Sequence, residues 1–446
     1  MALLIRGCGD GGTTPAPPSL WDSLVKLAIA AAIGRGDVRG LEPRSPCISE
    51  AVSFIRSLGF STDTPSYDRV SVEEQEPTSA RISFSFRCWN LTAYLLLPLA
   101  TTMLKPGQRL VARLLARTKD NAVRMLVEAL NAMGGRAVPV HGRPKTILLE
   151  GGLRRASPRY VFLDRAPGAL LSGFLIALGR ITERVTISVR EGKVAGQDRL
   201  ADTATVLAEQ GLASIKVSEG LKVIIQYSPA FRAHTPHQLS VRAGVEEAAH
   251  LLTLTEGCSG ERRVSDLPEN APRLRDTLLI LRMLGLNADL ECRGGRCTMA
   301  SYGANPTSIV YNVEGWTQIA PSLASHLGRL KDAVISGVSS LELEGFSLED
   351  VVRALQSLGA EAYLEDDRLA VKGTEQELER AGVSSCRGLD PLSCMPILSF
   401  SLSKLSKQDG IEILLGGAEE LDHIVPRALT ALTELGVEFD VVPDES

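Results

Sequence analysis

Six glycines set the architecture open to this chain. Each ends an apolar helical stretch: FIRSLG at Gly59, LVEALNAMG at Gly134, TVLAEQG at Gly211, LLILRMLG at Gly285, VVRALQSLG at Gly359 and LTALTELG at Gly436. Recurrence at roughly 75 residues marks an internal repeat, and so long a period holds more than one helix and strand per unit. Alternating strands follow several of these glycines, at residues 136–140, 287–291, 361–365 and 437–442. Compact α/β subdomains fit this pattern better than an open solenoid.

Residues 347–373 spell out one unit. Leu348, Val351, Val352, Leu355 and Leu358 recur at helical spacing, so one helix face is apolar. Ser347 with Asp350 reads as a capping box, and acidic residues at 349 and 350 suit the positive end of the helix dipole. Gly359 stops the helix, and alternation through Ala360, Ala362 and Leu364, an Asp366-Asp367 turn, then Leu369 and Val371 predicts a hairpin.

Six units suggest two lobes of three. Pro15–Pro18 is a stiff connector, and the turn-rich stretch 227–238 is the best internal boundary. The expected lobes are residues 1–15 plus 239–446, and residues 16–238. A ligand would sit in the cleft between them.

Composition excludes several partners. A net charge of −5 disfavours nucleic acid and a polybasic membrane surface, and 4% aromatic residues leaves few platforms for base stacking. The longest apolar run, 91–103, is too short to span a bilayer and contains Pro98. No signal-peptide layout opens the chain, so the expectation is a cytoplasmic protein without nucleic-acid or membrane partners.

Eight cysteines include no C-x-x-C pair, and no metal or other cofactor is expected. In ECRGGRC a two-residue Gly294-Gly295 turn would set Cys292 opposite Cys297. They are either bridged across the strands or both reduced. His234 and His237 read as a boundary loop, because a zinc site needs further ligands. Gly9–Gly12 reads as a plain turn or a phosphate-cradling loop.

Local landmarks add a resemblance. Ala16-Pro17-Pro18-Ser19 looks like the Pro-Pro-Ser-Lys-Ser helix start of the enolpyruvyl transferases. The segment from Ile319 looks like that family's Pro-Asp-Leu-Val-Pro stretch, and the segment from Leu389 like its Asp-His-Arg helix, with Asp390 and Met395 in register. The resemblance implies a two-lobed, EPSP-synthase-like α/β fold of six βαβαββ-type units, three per lobe. It also implies a reaction joining phosphoenolpyruvate to a phosphorylated alcohol such as shikimate 3-phosphate, in a cleft lined by several lysines and arginines.

The motif positions depart from that requirement. The helix-start lysine falls on Leu20, its neighbouring serine on Trp21 and its arginine on Val25. The catalytic Asp falls on Gln318, the lysine of the Lys-Glu-Ser-Asp-Arg loop on Glu344, its arginine on Leu348, and the arginine of Asp-His-Arg on Leu392. Ser19, Asn90 and Asp390 remain as candidate substrate-binding residues. Each lost charge-assisted hydrogen bond removes about 1.5–3 kcal/mol, so losing several abolishes useful affinity for a doubly charged anion. Apolar replacements predict an apolar cleft. The expected function is a degenerate member of this family, retained for binding or assembly, with a phosphorylated small molecule in the cleft or a protein as its partner. An active enolpyruvyl transferase and a non-catalytic scaffold stay open as alternatives. Lys26, Lys119, Arg124, Arg165 and Arg242 lie near motif positions and read mostly as surface charges.

Overall fold

The computed structural model of the chain describes residues 2–75, 79–88, 90–115, 117–153, 159–181, 184–190, 194–218, 222–231, 238–305, 308–327, 332–372, 384–386, 389–405 and 413–442. Gly373, His234 and His237 lie outside them. The strands form six sheets of four among the described residues.

One sheet shows how the unit is built. Arg81–Ser85 leads through the helix Asn90–Met103 to Arg109–Arg113, its parallel neighbour. The helix Asp120–Ala132 follows, then an antiparallel pair, Arg136–Pro139 and Thr146–Glu150, whose second strand returns beside Arg109–Arg113. This is βαβαββ. The stretch from Ile309 to Lys372 repeats it strand for strand. All six landmark glycines hold positive φ, between 65° and 100°.

Two kinds of helix alternate. Leu20–Ile33, Asn90–Met103 and Gly168–Gly179 are apolar nearly all round and pack on one another as the core of one lobe. Val245–Leu254, Ala320–Leu327 and Pro391–Leu405 do the same in the other lobe. The outer helices are amphipathic and cover their own hairpins. Leu348–Ser357 buries Leu348, Val351, Ala354 and Leu355 and packs on Glu361–Glu365. The Ser347 hydroxyl accepts the Asp350 N–H, the cap its sequence predicts.

The lobes exchange strands where the chain crosses between them. Gly11–Pro15 precedes the first core helix, yet it pairs with Glu261–Pro268. Gly11 and Gly12 belong to that strand. Gln238–Ser240 precedes Val245–Leu254, yet it pairs with Arg35–Arg39, so the second crossing follows Ser240. Ala2–Cys8 lies between Ile413–Gly416 and Val437–Val442.

Gly294 and Gly295 both take positive φ, 59° and 80°, as a two-residue primed turn requires. The Cys292 and Cys297 Cα atoms are 4.0 Å apart and the two residues are bridged. Bridges also join Cys8 to Cys258 and Cys47 to Cys88, while Cys386 and Cys394 are unbridged and buried. No helix among the described residues is long and apolar enough to cross a membrane.

Candidate functional site

The interlobe cleft is built from helix starts. One lobe supplies Leu20 and Trp21 at the start of Leu20–Ile33, and Asp198, Arg199 and Asp202 from the first turns of Gln197–Glu209. The other lobe supplies Glu246 and Glu247 at the start of Val245–Leu254, the turn Thr317–Ile319, and Glu344 at the end of Ser339–Glu344.

These groups satisfy one another. The Arg199 guanidinium donates two hydrogen bonds to Glu344, from Nε to Oε1 at 2.9 Å and from Nη2 to Oε2 at 3.0 Å. Its side chain is 6% exposed and that of Glu344 1%, so the pair is sealed from water. The Thr317 hydroxyl donates to Glu344 Oε1 at 2.8 Å, and Asp198 Oδ2 accepts the Gln318 N–H at 3.0 Å. The Gln318 amide donates to Asp202 at 2.8 Å. Arg273 donates to Asp202 and, from Nε, to Glu246 at 2.9 Å. Backbone hydrogen bonds run alongside, from Gly196 N–H to Glu314 O at 2.8 Å and from Asp198 N–H to Gly315 O at 3.2 Å. Gly196 holds φ at 64°, and a Cβ there would stand 2.6 Å from Glu344 Oε1. Only glycine lets the carboxylate sit this close to the turn.

Burial governs the electrostatics. It pushes the Glu344 carboxyl above its usual range, against the pull of Arg199. Burial also opposes the Arg199 charge, but Glu344, Asp198 and Asp202 together outweigh it and hold the guanidinium protonated. The Glu247 carboxyl, desolvated and next to Glu246, is pushed up to about 8 and keeps its proton at neutral pH. His250, buried and facing the Arg199 charge, is pushed down to about 3 and stays neutral, with Nδ1 2.8 Å from the Ser322 hydroxyl.

The positions singled out from sequence fall in two places. Leu20, Gln318 and Glu344 meet in the interlobe network; Leu20 is buried and its N–H donates to Glu247 Oε1 at 2.7 Å. Ser19 caps its helix by accepting the Asp22 N–H, so its hydroxyl has a structural partner. Asn90 donates to Leu343 O at 3.1 Å, and Tyr94 donates to the same oxygen at 2.8 Å. Asp390 and Leu392 lie apart from the network. Asp390 accepts the Leu392 N–H at 2.8 Å and has Arg117 Nε at 3.3 Å, within ion-pair distance but not aligned as a hydrogen bond. Burial pushes that carboxyl up to about 7.

Two expectations are corrected. The cleft is not apolar: Leu20, Trp21 and Phe346 line it, but charged and hydrogen-bonded groups occupy its middle. The space left is ≈ 20 Å³, room for roughly one water, so in this closed arrangement no phosphorylated ligand fits there. Lys26 is also not a surface charge. It is buried, and its ammonium donates to Asp22 at 2.7 Å and to Ser240 O at 2.5 Å. The residues that sequence reasoning missed are Asp198, Arg199, Asp202 and Arg273. In sequence, Asp198 and Asp202 stand four apart beside an arginine, the spacing of an ordinary solvated helix face.

A solved structure of EPSP synthase from Acinetobacter baumannii matches this chain with a TM-score of 0.66, over 99% of this chain and 100% of that one, at 16% identity. The chain has the enolpyruvyl transferase fold. A second structure of EPSP synthase from the same organism gives the same values. The enolpyruvyl transferase NikO from Streptomyces tendae matches at TM-score 0.67, with 98% of each chain covered and 16% identity. No protein-family profile and no curated protein sequence matches the chain. The enolpyruvyl transferase fold thus runs through the whole chain, and the Arg199–Glu344 pair and its partners span the interlobe face.

Proposed function

We propose that the chain is a catalytically degenerate protein of the enolpyruvyl transferase type, kept for binding or assembly rather than for enolpyruvyl transfer. The observation that carries this reading is the buried Arg199–Glu344 pair across the cleft. Glu344, at the position where the resemblance leads one to expect a cation for phosphoenolpyruvate, is already neutralised by an arginine of the opposite lobe. Gln318, at the position expected for a general base, offers an amide that is committed to Asp202. Opening the cleft for two multiply charged substrates would leave Arg199 and Glu344 without each other in a site built around their pairing.

The proposal includes a soluble protein of the cytoplasm, in keeping with the absence of a membrane-length apolar helix among the described residues. Cytosol keeps thiols reduced outside hyperthermophiles, so the three disulfide bridges weigh against that compartment elsewhere.

The decisive experiment mixes the protein with shikimate 3-phosphate and phosphoenolpyruvate and follows both phosphate release and heat of binding. Turnover overturns the proposal in favour of an active transferase. Binding without turnover supports a ligand-holding protein, and silence in both supports a scaffold or partner subunit.

A further inference from the structure

A second cleft opens beside the filled one. It has a volume of ≈ 790 Å³, and its walls include Glu50, Ser85, Cys88, Arg117, Glu420 and His423. Cys47, in the first turn of the helix Pro46–Ser57, is bridged there to Cys88, which precedes the helix Asn90–Met103. Both belong to one lobe. His423 comes from the other, at the end of the turn Ala418–His423, and its Nδ1 lies 4.0 Å from Cys47 Sγ. The two sulfurs and a ring nitrogen of His423 all lie within 4.8 Å of one another.

We propose that reducing the Cys47–Cys88 bridge turns this cluster into a Zn²⁺ site that joins the two lobes. Two thiolates and an imidazole are a recurrent zinc donor set, with Zn–S near 2.3 Å and Zn–N near 2.0–2.1 Å. The backbone is already in place for it. The Cys47 and Cys88 Cα atoms stand 5.3 Å apart, so the sulfurs can separate around a metal by side-chain rotation. Glu50 accepts the Cys88 N–H at 2.9 Å and the Thr92 hydroxyl at 2.6 Å, fixing Cys88 whether or not the bridge is present. The residue before His423 is anchored: Asp422 O accepts the Ser45 hydroxyl at 3.0 Å, and the Asp422 carboxylate accepts the Ala428 N–H at 2.9 Å.

Glu420 stands 3.8 Å from His423 Nε2, within ion-pair reach but beyond hydrogen-bond distance, and a small rotation would let it accept the other N–H of a metal-bound imidazole. Cys88 and His423 line the open cleft, which gives an ion a route to them and water as a further ligand. In the oxidised state neither sulfur is a thiolate, and the site is closed to metal. Opening it takes two electrons from a dithiol reductant. One reductant thiolate attacks a sulfur of the bridge, the second resolves the mixed disulfide, and the reductant leaves oxidised while Cys47 and Cys88 become thiols. Binding Zn²⁺ then releases their two protons to solvent.

The test uses the full-length chain, either oxidised or reduced with a phosphine under argon. Co²⁺ is the probe, followed by its thiolate charge-transfer absorption, and Zn²⁺ affinity is read by competition with a chromophoric chelator. Only the reduced protein is expected to show the band and tight binding, and Zn²⁺ should raise the Tm of that form alone. Cys47→Ser and Cys88→Ser should each remove the band. His423→Ala should weaken binding by more than about 100-fold, and Glu420→Gln by about 10–100-fold. The double variants Cys8→Ser/Cys258→Ser and Cys292→Ser/Cys297→Ser should keep the band, which assigns it to this cluster. No band in the reduced protein, a band that survives loss of both Cys47 and Cys88, or His423→Ala binding as tightly as the parent would each overturn the proposal. If a cysteine variant does not fold by circular dichroism, His423→Ala carries the test, because that side chain is only partly buried.

Discussion

Arg199 and Glu344 lie 145 residues apart in sequence and meet as a fully buried bidentate pair between the lobes. A charge pair without water is expensive to break from one side, because the remaining charge has no counter-ion. Glu344→Gln is therefore expected to lower the unfolding free energy by about 3–5 kcal/mol. The double variant Arg199→Met/Glu344→Leu should recover much of that loss. Urea denaturation of the parent and the two variants measures it. A single variant as stable as the parent would show that the two charges do not depend on each other.

Glu247 gives stability a signed pH dependence. Its carboxyl titrates near 8 in the fold against an ordinary value of 4.5, so between those limits the folded state holds a proton that the unfolded state has lost. Stability from this group falls as pH rises from about 4.5 to 8. His250, near 3 in the fold against 6.5, works the other way: its share is complete above 6.5 and is lost as pH falls toward 3. In Glu247→Gln, stability should decline less between pH 6.5 and 8 than in the parent. Denaturation midpoints across that range check it, and parallel curves would refute it.

The three bridges should differ in weight. Cys292–Cys297 closes a separation of 5 residues and Cys8–Cys258 one of 250. By loop-closure entropy the first stabilises by about 2 kcal/mol and the second by about 5 kcal/mol. Cys8→Ser/Cys258→Ser should thus lower Tm well beyond Cys292→Ser/Cys297→Ser. Thiol titration of the unfolded, unreduced protein should find two thiols, those of Cys386 and Cys394.

Ser347 should behave as an isolated helix cap. Its hydroxyl accepts the Asp350 N–H at 3.3 Å, and Ser347→Ala removes that acceptor. The expected cost is about 1 kcal/mol, read by thermal unfolding. A change near zero would mean that solvent satisfies the first turn equally well.

The fold was legible because it depends on local signals repeated six times. Gly359 needs a left-handed backbone, Ser347 caps a helix, and Gly294-Gly295 forces a hairpin that aligns Cys292 with Cys297. Such signals act within a few residues and survive in the sequence. The cleft was legible only by subtraction. Leu20 and Glu344 stood out in the sequence only as departures from the motifs the chain resembles, and nothing beside Glu344 names Arg199 as the group that neutralises it. Asp22 and Lys26 sit four apart, as many exposed pairs do; that they are buried beside Arg242 follows from packing that spacing cannot encode.

The strand exchange also constrains how the protein is made. Ala2–Cys8 and Gly11–Pro15 leave the ribosome well before their partners, Glu261–Pro268, Ile413–Gly416 and Val437–Val442, which come hundreds of residues later. Domains tend to fold in order of synthesis, yet here early strands wait for much later ones. The middle of the chain can settle first, with its amino-terminal strands held unpaired. The bridge between Cys8 and Cys258 can close only after residue 258 has been made, and it ties the waiting strands to the lobe they belong with.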